Sequence, residues 1–119
     1  MDRKTLKYVQ KKTDELLQAP TCSKEAHDAA LEWLKAVGTP KEKEQTALYL
    51  QELAEDICPI DDLMEFAPSK KSVDYWGQEE ADRLTRHSLE LKKSGALYCD
   101  CPACVAALAI LAEKDKMLK

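Results

Sequence analysis

Glycine and phenylalanine are almost missing from this sequence, with three and one among 119 residues. The glycine shortage leaves no room for phosphate-cradling loops. No G-x-x-x-x-G-K, G-x-G-x-x-G or G-x-S-x-G occurs, so nucleotide and esterase chemistry lose their usual support. No apolar stretch approaches the ~18 to 20 residues that span a bilayer, and Met1-Asp2-Arg3-Lys4 leads into charge rather than a signal core. A cytoplasmic protein is expected. Long basic runs are also lacking: Lys41-Glu42-Lys43 and a few lysine pairs are the most concentrated, within a net charge of -4. Nucleic acid and membrane are therefore not expected partners, which leaves an unidentified protein partner.

What the chain does contain suits helices. Hydrophobic residues make up 45% and charged residues 34%, enough apolar surface for one modest core beneath a charged exterior. Ala, Leu, Glu and Lys dominate, all good helix formers, and strands have little to be made from. The spacing predicts an all-α fold, one domain over residues 1–119, as a compact bundle of about four main helices plus one or two short ones.

Asp2 caps a first helix to Leu17, with Leu6, Val9, Thr13 and Leu16 at helical spacing. A second starts near Cys22 to Lys24, capped by Thr21 or Ser23. It carries Ala26, Ala30, Trp33, Leu34 and Val37, and stops at Gly38. Thr39-Pro40-Lys41-Glu42 reads as a capping box opening a third, with Ala47, Leu50, Leu53, Ala54 and Ile57 on one face. Asp61 or Asp62 caps a short helix from Leu63 to Ala67, and Lys70 to Gly77 gives no clear pattern. A further helix spans Gln78 to Ser94, with His87 on the side of Ala81, Leu84 and Leu91. Pro102 opens the last, whose stripe runs Cys104, Leu108, Leu111, Asp115, Leu118. Trp33, Leu34, Leu50, Leu53, Leu84, Leu91, Leu108 and Leu111 are the expected core.

Five cysteines, Cys22, Cys58, Cys99, Cys101 and Cys104, make an odd set without a secretory signal, which points to reduced thiols rather than a disulfide framework. Three of them form Cys99-Asp100-Cys101-Pro102-Ala103-Cys104. At a helix N-terminus the dipole and unpaired amides favour thiolate, the form that binds soft metals. Zinc prefers four thiolate or imidazole ligands, so a fourth donor is needed. Cys22, also opening a helix, is the first choice, followed by His27, His87 and Cys58. The expected site is therefore Cys22, Cys99, Cys101 and Cys104 holding zinc. An iron-sulfur cluster is the alternative, although the spacing departs from the ferredoxin C-x-x-C-x-x-C run. Asp100 suits a solvated residue or helix cap better than a soft-ion ligand. Asp61-Asp62 and Glu79-Glu80 lie at helix starts, where acids are electrostatically favoured in any case.

The segments Pro20-Thr21-Cys22-Ser23, Ile57-Cys58-Pro59-Ile60-Asp61 and Gly95-Ala96-Leu97-Tyr98-Cys99-Asp100-Cys101-Pro102-Ala103-Cys104 resemble a family of short proteins from anaerobic Firmicutes, and the resemblance covers nearly the whole chain. Some members carry a heat-shock chaperone label of the ninety-kilodalton type. With Gly38, Gly77 and Gly95 as its glycines, this chain lacks the glycine-rich lid of that chaperone's ATPase. The resemblance implies an anaerobic bacterial cytoplasm, which suits zinc thiolates and oxygen-sensitive clusters alike. The leading expectation is a non-catalytic metal-binding domain with an interaction or regulatory role. The alternatives are a redox or iron-sulfur protein, and an enzyme using Cys101 or Cys104 as nucleophile with His27 or His87 as base.

Overall fold

The computed structural model describes residues 1–118. These residues form eight helices and no named strand, so the all-α expectation holds. The chain divides into two compact units, one of Met1–Ile57 with the chain from Asp100 onward, the other Cys58–Cys99.

The first unit holds α1 (Arg3–Gln18), α2 (Lys24–Ala36), α3 (Glu42–Asp56), α7 (Pro102–Leu111) and α8 (Lys114–Met117). Asp2 caps α1, its carboxylate accepting from the Thr5 amide at 2.8 Å, and Ser23 caps α2 by accepting from the Ala26 amide at 3.1 Å. Thr39 serves both helices: its hydroxyl donates to the Ala36 carbonyl at 2.6 Å, closing the end of α2, and accepts from the Lys41 amide at 3.2 Å ahead of α3, while the Glu42 carboxylate accepts from the Gly38 amide at 3.3 Å. α3 itself begins at Glu42, later than the expected start. α1 packs on α7, and α3 packs on both α2 and α7.

At the centre Trp33 stacks on Tyr49, ring centroids 5.4 Å apart and planes 27° off parallel. The Trp33 indole N–H donates to Thr46 Oγ1 at 3.0 Å, and the Thr46 hydroxyl donates to the Glu42 carbonyl at 2.7 Å. The Tyr49 and Thr13 hydroxyls pair at 2.9 Å. Every polar group of this buried set has a partner, which is what allows it to be buried. Burial pushes the Tyr49 phenol up to about 12, against the smaller lowering effect of Thr13. The buried face of α3 is thus Thr46, Tyr49, Leu50 and Leu53, rotated from the expected one, and Ala47 and Ala54 are exposed. The final helix breaks at Ala112 and Glu113. Met117 is buried, while Asp115 is exposed and Leu118 half-buried.

The second unit holds α4 (Ile60–Phe66), α5 (Lys70–Trp76) and α6 (Gln78–Lys93). α4 and α5 both pack on α6. Asp61 and Asp62 lie inside the first turn of α4 rather than capping it. The unreadable segment is α5, capped by the Ser69 hydroxyl accepting from the Ser72 amide at 3.4 Å. It is separated from α6 by Gly77 at φ 88 and ψ 162, a conformation essentially confined to glycine. Trp76 sits edge-on to both Phe66 and Tyr75, and Tyr75 is largely exposed.

Of the expected core, Trp33, Leu50 and Leu53 are buried. Leu34, Leu84, Leu91, Leu108 and Leu111 are half-buried. On α7 the small residues Ala103, Ala106 and Ala107 take the inner face with Cys104 and Ile110.

Candidate metal centre

The cysteine segment changes from extended backbone to helix at Cys101, whose φ of -63 and ψ of 157 place it at the N-cap of α7. Pro102 occupies the first helical position, where its fixed φ suits the helix and its missing amide costs nothing. The next two amides are satisfied by side chains. That of Ala103 donates to Thr21 Oγ1 at 3.3 Å, and that of Cys104 donates to Cys101 Sγ at 3.5 Å. An amide donor and a helix N-terminus both favour negative charge on the Cys101 sulfur.

The backbone turn brings the sulfurs of Cys99, Cys101 and Cys104 together, all within 4.8 Å of one another, with Cys99 and Cys104 buried and Cys101 half-buried. Sulfurs at zinc-thiolate bond lengths around one tetrahedral ion stand about 3.8 Å apart, so the group fits an ion after a contraction of about 1 Å at most. The fit is local: six consecutive residues supply all three donors.

Cys22 lies outside this sulfur group, although its segment does reach the start of α7 through Thr21. It lines a half-open cavity of about 50 Å³ with Cys104, Thr21, Ser23, Asp56 and Ala107. Its thiol donates to the Ser23 carbonyl at 3.4 Å. Burial pushes the Cys22 thiol up, and the charge of Asp56 adds to the effect. Asp56 was no part of the expected site. One of its carboxylate oxygens is buried without a hydrogen-bond partner. Burial holds this carboxyl above the usual range, hydrogen bonds from Glu52 and Ser23 oppose that, and Glu25 and Glu55 reinforce it. No local pattern marks Asp56, because it is the last residue of an ordinary amphipathic helix.

The histidines are elsewhere. His27 is half-buried on α2, with Nδ1 3.9 Å from Asp28. His87 is exposed on α6, contrary to the apolar side expected for it. At about 100° per residue it stands about 120° round the helix from Ala81, whereas Ser88 stands about 20° away and is the residue buried there. Cys58 is half-buried at the start of the second unit, its thiol donating to the Pro59 carbonyl at 3.6 Å. The paired acids behave as helix-start residues: Asp61 binds Lys92 at 2.8 Å and Glu80 binds Arg83 at 2.9 Å.

Comparison with protein-family models, curated proteins and solved structures finds no match to this chain. No helix among the described residues is long and apolar enough to cross a membrane.

Proposed function

We propose that this chain is a small metal-binding helical protein in which Cys99, Cys101 and Cys104 hold a zinc ion, with a non-catalytic interaction or regulatory role in the cytoplasm. The observation that carries the reading is the convergence of three sulfurs within 4.8 Å. Three thiolates from six residues match a soft, tetrahedral ion better than calcium or magnesium, which take oxygen ligands. Bound zinc would supply a rigid cross-link that fixes the start of α7. Four-coordinate closure makes such a site structural, since a catalytic zinc keeps one position for water or substrate.

The fourth position goes to another protein thiol. Cys22 is the donor expected from sequence, and its cavity shares Cys104 with the sulfur group. Cys58 is the competing donor.

A redox reading is favoured by one observation, the Cys101-x-x-Cys104 pair at a helix start with the Cys104 amide on the Cys101 sulfur, an arrangement that stabilises thiolate. Elemental analysis of anaerobically purified protein separates zinc from both redox forms, since a dithiol pair expects no bound metal and a cluster expects iron. The zinc reading expects a colourless sample with about one equivalent of zinc, lost on Cys99→Ser or Cys104→Ser. A brown sample containing iron and sulfide would establish the cluster reading instead. Metal content unchanged in both variants would overturn the site.

A further inference from the structure

The second unit begins and ends in a short antiparallel pairing. The Cys99 amide donates to the Cys58 carbonyl at 2.8 Å, the Ile60 amide donates to the Leu97 carbonyl at 2.9 Å, and Pro59 and Tyr98 form the bridge between them. This register sets Cys58 directly opposite Cys99. Opposed residues of an antiparallel pair send their side chains to the same face, with Cβ atoms about 4.5 to 5.5 Å apart. Cys99 is also one of the three convergent sulfurs.

We infer that Cys58 is the fourth sulfur ligand, so that the centre is a four-cysteine site of Cys58, Cys99, Cys101 and Cys104. The inference rests on the metal reading above and adds the closing ligand to it. The Cys58 thiol now donates to the Pro59 carbonyl at 3.6 Å, a weak sulfur bond. Rotation about Cα–Cβ to another staggered position redirects the sulfur without moving the backbone. The backbone is already held, because the amide of one ligand is bonded to the carbonyl of the other. Cys22 is placed differently, on the wall of the Asp56 cavity.

Anaerobic titration of the full chain with cobalt(II) tests this, since sulfur-to-cobalt charge-transfer intensity grows with the number of thiolate ligands. Cys58→Ser should lose about one ligand in four of that intensity and bind cobalt at least about tenfold more weakly, while Cys22→Ser should match the wild type. A Cys58→Ser spectrum equal to wild type, or the loss appearing in Cys22→Ser, overturns the inference and leaves the metal reading standing. A wild-type chain that gives no charge-transfer band overturns both. Should Cys58→Ser not fold, alkylation of the wild-type chain with and without zinc, read by peptide mass spectrometry, identifies the fourth ligand directly. Zinc should protect Cys58 together with Cys99, Cys101 and Cys104 and leave the Cys22 rate unchanged; protection of Cys22 in place of Cys58 refutes the assignment.

Discussion

Replacement of Trp33 by alanine is the sharpest test of how the first unit is held together. The side chain is fully buried, stacked on Tyr49 and hydrogen-bonded to Thr46. Emptying such a site costs roughly 3 to 5 kcal/mol from lost transfer energy and the cavity left behind, and loss of the ring pair falls within that figure rather than on top of it. Thr46 keeps its bond to the Glu42 carbonyl, so no buried donor is orphaned on that side. Against a domain stability of about 5 to 15 kcal/mol, a loss of about 4 leaves a folded but weakened protein. With a urea dependence of about 1 to 3 kcal/mol per molar, the midpoint should fall by roughly 1.3 to 4 M. Far-ultraviolet circular dichroism follows the helices, and Trp76 emission reports on the second unit in the same sample. Trp33→Phe is the control: it keeps an aromatic ring beside Tyr49 but loses the hydrogen bond, at about 1 kcal/mol, and part of the indole's buried volume, so it should cost less than Trp33→Ala. A cost for Trp33→Ala below about 1 kcal/mol, or no larger than that of Trp33→Phe, would refute Trp33 as the centre of this packing.

Thr46→Val leaves the buried Trp33 N–H without an acceptor and should cost about 1 to 3 kcal/mol in urea unfolding; a neutral result would mean the indole finds another partner. Gly77→Ala meets no atom within 4 Å, so its cost should be the backbone strain alone, roughly 1 to 3 kcal/mol, measured by thermal melting of the second unit. Asp56 has its folded pKa raised above the ordinary 3.8 by burial, so its contribution is present below the unfolded pKa and lost as pH rises through the folded value. Asp56→Asn should therefore stabilise the protein at neutral pH, with the advantage shrinking as pH falls toward 4; an advantage that does not vary with pH would show that Asp56 stays charged throughout.

The helical class was legible because the apolar spacing and the caps act within a few residues of each other, as at Asp2 and Ser23. Faces were less legible. On α3 the inner positions are held by Thr46 and Tyr49, whose polar atoms are satisfied by Trp33, Glu42 and Thr13, so a polar residue reads as outward until its distant partner is known. Thr39 has the chemistry of a cap and uses it on both sides, donating to the end of α2 and accepting from the Lys41 amide ahead of α3. The three-sulfur group was readable because its donors lie within six consecutive residues, and only the turn at Cys101 had to be right. The opposition of Cys58 and Cys99 depends on pairing of two segments far apart in the chain, a register no local pattern carries.

α7 is capped by a thiol, that of Cys101. The three other helices with side-chain caps use oxygen: Asp2 at 2.8 Å, Ser23 at 3.1 Å and Ser69 at 3.4 Å. Only α7, among the described helices, is capped by sulfur, at 3.5 Å from the Cys104 amide, and sulfur is a weak acceptor. A serine there would serve the helix better, since oxygen caps contribute about 0.5 to 2 kcal/mol relative to alanine. A local choice that is poor for stability is the kind of exception expected at a functional position. Cys101→Ser should therefore keep or raise the stability of the metal-free chain, by up to about 1 kcal/mol, while abolishing tight metal uptake. Thermal melts in chelator check the first half and cobalt titration the second. Loss of more than about 1 kcal/mol in the metal-free state would make Cys101 a structural residue and remove the reason for reading its sulfur as a ligand.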